Sequence, residues 1–215
     1  IVDGEYYLNQ ALDRGEKILA EGAQGSMLDV DYGTYPYVTS SNTITSGVCT
    51  GLGIAPSRIR EVIGISKAYC TRVGSGPFPT ELFDETGEQL RKEGMEFGAT
   101  TGRPRRCGWI DIPQLKYNIM LNGVTQLTIT KIDVLNIFSE IKAGTHYTIG
   151  GEQVDAVPFD LGRSDLDVHY KTYEGWQSDL EDVTTFEAMP ATMKAYLAEL
   201  EALLGVPITM VSTGP

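Results

Sequence analysis

Two spacings of apolar residues run along the chain. Met193, Tyr196, Leu197, Leu200, Leu203 and Leu204 recur at helical intervals. They predict a helix over residues 191–204 that lays one face on a sheet and is capped by Gly205. Residues 112–122 read as a helix stopped by Gly123, and residues 6–13 as one ended by Gly15. Residues 43–50 predict a short helix broken by Gly51 and Gly53, and residues 87–92 a short polar helix on the surface. Strand-like runs lie at 17–21, 61–73, 126–130, 139–149, 152–157, 169–176 and 206–211. Gly150-Gly151 is a hairpin signal between two of them, and G-S-G-P-F-P at 74–79 is a rigid turn. The elements predict an α/β fold, with a largely parallel central sheet flanked by helices and an antiparallel hairpin. No internal repeat, low-complexity tract or long linker interrupts the sequence, so residues 1–215 are expected to belong to a single domain.

Composition narrows the classes. The chain has 215 residues, is 41% hydrophobic and has a mean hydropathy of -0.13, which fits a soluble globular protein. No run approaches the roughly 18 apolar residues of a membrane span, and no secretory signal pattern opens the chain. A net charge of -12 argues against a general nucleic-acid or anionic-membrane surface. A local arginine cluster can still hold a small anion. Cys49, Cys70 and Cys107 are odd in number and far apart, which suits a reducing cytoplasm better than a disulfide framework. His146 and His169 lack metal-ligand spacing and are read as structural. The first residue is Ile1, which suggests a missing N-terminus.

Three stretches carry candidate chemistry. The first is residues 21–42, E-G-A-Q-G-S-M-L-D-V-D-Y-G-T-Y-P-Y-V-T-S-S-N, after the expected buried strand at 17–21. Gly, small polar groups and few long charged side chains at a strand's C-terminal end suit a flat heteroaromatic ligand with hydroxyls. Gln24 can donate to and accept from a lactam edge through its amide. The plain alternative is an ordinary polar crossover loop. The second stretch is residues 98–109, G-A-T-T-G-R-P-R-R-C-G-W. Three guanidiniums this close repel one another unless anions or carboxylates sit among them. Their forks grip carboxylate and phosphate oxygens in pairs. The alternative is a solvated basic turn paired with the protein's own acids. The third is T-K-I-D at 130–133, directly after the strand at 126–130. The Asp133 carboxylate can accept from both N1–H and N2–H₂ of guanine, a donor pair that adenine lacks. The Lys131 stem can cover the ring while its ammonium stays in water.

Taken together and in order, the motifs resemble the adenylosuccinate synthetase family. The resemblance rests on E-G-A-Q-G at 21–25, Y-P-Y-V-T-S-S-N at 35–42, T-R-V-G-S-G-P-F-P-T-E at 71–81, F-G-A-T-T-G-R-P-R-R at 97–106, T-K-I-D at 130–133 and G-V-P-I-T-M-V-S-T-G-P at 205–215. It implies a ligase of purine (AMP) biosynthesis that joins IMP to L-aspartate with GTP hydrolysis. It further implies that Gln24, Thr39, Val73 and Arg103 contact IMP. Ala99, Thr100, Thr101, Gly102, Arg103, Pro104 and Arg105 would form the aspartate loop. Arg105, Lys131, Ile132, Asp133, Ser212, Thr213 and Gly214 would contact GTP. Magnesium is the implied cofactor and a homodimer the implied full-length assembly.

One departure sets the limits of that resemblance. The family carries its phosphate loop, general-base aspartate, general-acid histidine and magnesium ligands in an N-terminal half. This chain has neither a G-x-x-x-x-G-K segment nor the family's G-D-E-G-K-G pattern. It therefore looks like a C-terminal fragment, with no catalytic residue and no metal ligand of its own, and is expected to be inactive alone. The alternative is a stand-alone guanine-nucleotide-binding module without ligation.

Overall fold

The computed structural model describes residues 1–98 and 102–214. The chain opens with α1 (Gly4–Asp13). The run at 17–21, expected as a buried strand, is extended coil instead, with Leu19 87% exposed. A strand needs a ladder partner, and residues 17–21 have none among the described residues. α2 (Ser46–Leu52) contains Gly51, so Gly53 alone ends it, at φ 65°.

The long strand expected over 61–73 is two strands in two sheets. β1 (Ile63–Lys67) and β2 (Cys70–Arg72) are separated by Ala68 and Tyr69, which are 1% and 2% exposed. Period-two alternation cannot reveal a change of sheet. α3 (Glu85–Glu93) begins at Asp84, whose carboxylate accepts from Gly87 N–H at 3.2 Å. It is less superficial than its polar sequence predicts, because Gly87 and Leu90 are buried. β3 (Arg106–Gly108), β4 (Ile110–Asp111) and α4 (Ile112–Asn122) follow. Asp111 caps α4 by accepting from Gln114 N–H at 3.0 Å, Pro113 occupies the first turn, and Gly123 closes the helix at φ 61°.

β5 (Gln126–Thr130) sits in the middle of a three-stranded parallel sheet, between β1 and β9 (Ile208–Val211). Leu127 and Ile129 face the core at 1% and 0% exposure, each burial stabilising by roughly 1.5–3 kcal/mol. β2 and β3 form an antiparallel pair. The remaining sheet is built on β6 (Glu140–Ile149). It pairs parallel with β4, and antiparallel with β7 (Glu152–Val154) and β8 (Leu166–Glu174). The expected Gly150-Gly151 hairpin joins β6 to β7. α5 (Ala191–Leu204) buries Met193, Tyr196, Leu197, Leu200 and Leu204 in the same core as Leu127, Ile129 and Trp176. The fold is thus α/β, with a parallel sheet flanked by helices and antiparallel pairs beside it. Among the described residues, no helix is long and apolar enough to cross a membrane.

Candidate functional site

The polar loop after Glu21 is ordered by one carboxylate. Asp29 is 0% exposed. Its Oδ1 accepts from the N–H groups of Asp31 (3.0 Å) and Tyr32 (3.1 Å), and its Oδ2 from those of Thr43 (2.7 Å) and Ile44 (3.3 Å). Burial alone would raise its pKa, but the four backbone donors outweigh that and hold it below the usual carboxylate range. Gly33 is required here, because a Cβ would lie 2.5 Å from the carbonyl oxygens of both Asp29 and Met27. Gln24 stands at the entrance to the loop, exposed, with φ 72°. The Thr39 hydroxyl donates to Leu28 O at 3.0 Å and accepts from Ser41 N–H at 3.3 Å, so it is part of the loop's own bracing.

Arg72, on β2, ties this loop to the arginine-rich stretch. Its Nη2 donates to Thr34 Oγ1 at 3.1 Å and to Tyr37 O at 3.2 Å. Across the ladder Arg72 pairs with Arg106. Val73 and Arg105 lie one residue beyond that pair, at the same end of the ladder, and Val73 is 66% exposed. The two candidate stretches are therefore attached to opposite strands of one short antiparallel ladder.

The arginines are held by acids, as their mutual repulsion demands. Arg106 pairs with Glu81 through two of its nitrogens, Nε to Oε1 at 2.7 Å and Nη2 to Oε2. Arg105 pairs through Nη1 with Glu96 Oε2 at 2.7 Å. Around Arg103 the chain folds back on itself: Gly98 N–H donates to Arg103 O at 2.8 Å, Gly102 N–H donates to Gly98 O at 2.8 Å, and Phe97 bridges Pro104. Gly102 and Pro104 lie on this exposed turn, Gly102 with φ 63°. Ala99, Thr100 and Thr101, expected in the aspartate loop, lie outside the described residues.

Glu96 is the residue that sequence reasoning missed. It is fully buried, and its Oε1 accepts from Tyr69 OH at 2.6 Å, Lys67 Nζ at 2.7 Å and Lys131 Nζ at 3.2 Å. Burial pushes its pKa up; hydrogen bonds from Lys67, Tyr69 and Arg105 push it down further, to about 2. Burial lowers the pKa of Lys67, with Glu96 acting in the opposite sense. The signal was present in the sequence, since a dense cationic stretch needs a carboxylate among its members. Which of the many acids fills that role depends on the fold.

Lys131 also differs from expectation. Its ammonium is bound to Glu96 and to Gly94 O rather than left to water, and its backbone stands at φ 58°. Asp133 opens a 3₁₀ turn (Asp133–Ile137) at the C-terminal end of β5. Its Oδ1 is buried and has no hydrogen-bond partner among the described residues, and neither does the buried Nε of Arg105. Ser212 backs this turn: Ile132 N–H donates to Ser212 O at 3.4 Å, and Ser212 N–H to Ile129 O at 2.8 Å. Ser212, Thr213 and Gly214 then line one end of a groove of about 1000 Å³ beside β9, with Val183 and Met189. The sites expected for aspartate and guanine are thus neighbours through Glu96. Among the described residues, no hydrogen bond links Gln24 to them.

The two histidines, on β6 and β8, stack at 4.6 Å between ring centroids and pair across the sheet. Among the described residues, no group of three His, Cys, Asp or Glu side chains could hold a metal ion.

Comparison with known proteins agrees with this geometry. The family model described as adenylosuccinate synthetase matches residues 1–215. An adenylosuccinate synthetase of Cytophaga hutchinsonii is 57% identical over 216 residues, covering 100% of this chain and 50% of the relative. One from Paramecium tetraurelia is 52% identical, again covering 100% and 50%. The chain thus spans about half the length of the relatives it matches. Among solved structures, the fully ligated adenylosuccinate synthetase of Plasmodium falciparum superposes with a TM-score of 0.96 at 40% identity, covering 100% of this chain and 52% of that one. A cyanophage S-2L succinoaminodeoxyadenylate synthetase, bound to dGMP and dATP, shares the fold alone, at TM-score 0.61 and 23% identity. With a family model matched from the first residue to the last, this chain belongs to the adenylosuccinate synthetase family.

Proposed function

We propose that the full-length protein joins IMP to L-aspartate with GTP hydrolysis, and that residues 1–215 supply recognition surfaces for all three substrates. The observation that carries the proposal is the buried Asp133 Oδ1, an acceptor without a donor among the described residues, at the end of a parallel strand. Leaving such a group unpaired costs about 1–3 kcal/mol, and the N1–H and N2–H₂ edge of guanine supplies the missing donors. The buried Arg105 Nε is the complementary case, a donor without an acceptor among the described residues, two positions from Arg103. A carboxylate or phosphate oxygen satisfies it.

In this reading Gln24 reads the lactam edge of the IMP base, and Val73 packs by its ribose. Thr39 contributes through the acceptor capacity left over from its bond to Leu28 O. Arg103, with Ala99, Thr100, Thr101, Gly102, Pro104 and Arg105, binds aspartate. Lys131, Asp133 and the backbone of Ile132, whose side chain is buried in the core, meet guanine on one side, with Ser212, Thr213 and Gly214 on the other. Phosphoryl transfer depends on positioning and charge stabilisation, and these residues do the positioning. Magnesium would accompany the nucleotide phosphates. The described residues offer no three-carboxylate or histidine cluster for it, so no step here runs through the ion. A cytoplasmic homodimer is part of the same proposal.

The test is adenylosuccinate formation by the full-length protein, followed with IMP, aspartate and GTP each omitted in turn. Product that requires all three is expected; product without GTP, or none with all three, overturns the proposal. The 215-residue chain alone is expected to make none. Absence of a general acid/base pair costs on the order of 10²–10⁴-fold, and absence of a phosphate cradle adds to it.

A further inference from the structure

Glu96 lies where three separately placed cations and a phenol converge. Lys67 ends β1, Lys131 follows β5 on the neighbouring parallel strand, and Arg105 ends the arginine turn. The two carboxylate oxygens divide these partners. Oε1 takes Tyr69, Lys67 and Lys131, and Oε2 takes Arg105. The backbone joins in, since Arg105 N–H donates to Glu96 O at 2.9 Å. Gly94 completes the cluster. Its carbonyl accepts from Lys131 Nζ, and any Cβ on it would lie 2.1 Å from the Tyr69 hydroxyl.

We propose that Glu96 is a positioning residue that couples the turn bearing Asp133 to the turn bearing Arg103. The inference rests on the function proposed above. Its logic is geometric. Lys131 holds a left-handed backbone conformation that a side-chain-bearing residue rarely adopts unless held. What holds it is the bond from its ammonium to Glu96 and Gly94. Asp133 is two residues on, so the direction in which its orphaned oxygen points follows from that anchor. The same carboxylate fixes Arg105 and thereby one leg of the turn whose other leg is Phe97. A fully buried carboxylate has no water to replace these partners. Removing its charge releases both turns at once.

The consequence is an unusual kinetic signature. In the full-length protein, Glu96→Gln is expected to raise the Michaelis constants for GTP and for aspartate together, each by roughly 10- to 100-fold, the range for loss of a charge-assisted partner. The constant for IMP, to which Arg103 also contributes, rises no more than that for aspartate. The preference for GTP over inosine triphosphate, which lacks the 2-amino group, shrinks, because Asp133 no longer points at that group. Glu96→Asp restores part of the preference. Tyr69→Phe removes one bond from an uncharged donor to Oε1 and leaves the carboxylate charge and its cationic partners in place, so it serves if Glu96→Gln does not fold; both constants then move the same way by less. A merely structural role would lower the melting temperature and the active fraction, and leave the constants and the preference unchanged. That result, in Glu96→Gln or failing it in Tyr69→Phe, overturns the coupling, as does a change in only one of the two constants. A wild-type protein that makes no adenylosuccinate overturns the function and this coupling with it. Wild-type turnover beside unaltered variants overturns the coupling alone.

Discussion

Asp29 Oδ2 accepts the N–H of Thr43 at 2.7 Å across fourteen residues of chain, while Oδ1 of the same carboxylate caps the turn at Asp31 and Tyr32. One buried side chain thereby closes the polar loop into a defined shape. The loop's backbone polar groups are satisfied from inside rather than by solvent. A ligand meeting this loop meets a formed surface.

Asp29→Ala leaves four backbone donors without their acceptor. Each unsatisfied buried donor costs about 1–3 kcal/mol, and partial rehydration offsets some of it. The expected loss is at least about 2 kcal/mol in denaturant unfolding of the full-length protein. Asp29→Asn keeps one acceptor oxygen and falls between. Equal stability of all three proteins would contradict the bracing role.

Glu96 predicts a pH dependence. Its pKa is about 2 in the folded protein, against 4.5 for an ordinary glutamate. The unfolded chain therefore binds the extra proton first as pH falls. The stabilisation from this group is complete above about pH 4.5 and is lost as pH drops toward about 2. A shift of this size corresponds to on the order of 3 kcal/mol. The carboxylate of Asp29, also held low by its backbone donors, acts in the same direction. Thermal melts between pH 6 and pH 2 should fall more steeply for wild type than for Glu96→Gln, and parallel curves would count against Glu96 as a source.

Asp133→Asn tests nucleotide choice. The amide accepts once and donates once, so one guanine donor is left mismatched. In the full-length protein the Michaelis constant for GTP should rise about 5- to 150-fold, equivalent to roughly 1–3 kcal/mol, with the constant for IMP little changed. An unaltered GTP constant would remove Asp133 from the site.

Arg103→Leu tests the exposed segment of Gly102, Arg103 and Pro104. Gly102 stands at φ 63° immediately before Arg103, and Pro104 fixes the backbone after it. Aspartate carries two carboxylates toward a chain of net charge -12, and only a local positive group reverses that field. The Michaelis constant for aspartate should rise at least as much as that for IMP, by on the order of 10- to 150-fold, or about 1.5–3 kcal/mol, with GTP affected least. Arg103→Lys should recover little, because an ammonium lacks the two-pronged geometry. Wild-type aspartate dependence in Arg103→Leu would leave this arginine as a surface partner of the protein's own acids.

The sequence by itself determined the elements whose signals are local. α4 and α5 begin and end where periodicity and the stops Gly123 and Gly205 put them. β5 runs from Gln126 to Thr130 as read, and T-K-I-D lands at its C-terminal end. These features depend on neighbours a few residues away, so a linear text contains them. Tertiary structure decided whatever depends on a partner remote in sequence. Residues 17–21 have strand composition but no ladder to join, so they are coil. The run at 61–73 is split because Ala68 and Tyr69 pass through the core between two sheets. Lys131 reads as a wet ammonium until the fold delivers Glu96, thirty-five residues away, beneath it. Burial and long-range pairing are properties of the packed chain. They turn one glutamate and one aspartate, among 29 acidic residues of the same local character, into the groups that shape the site.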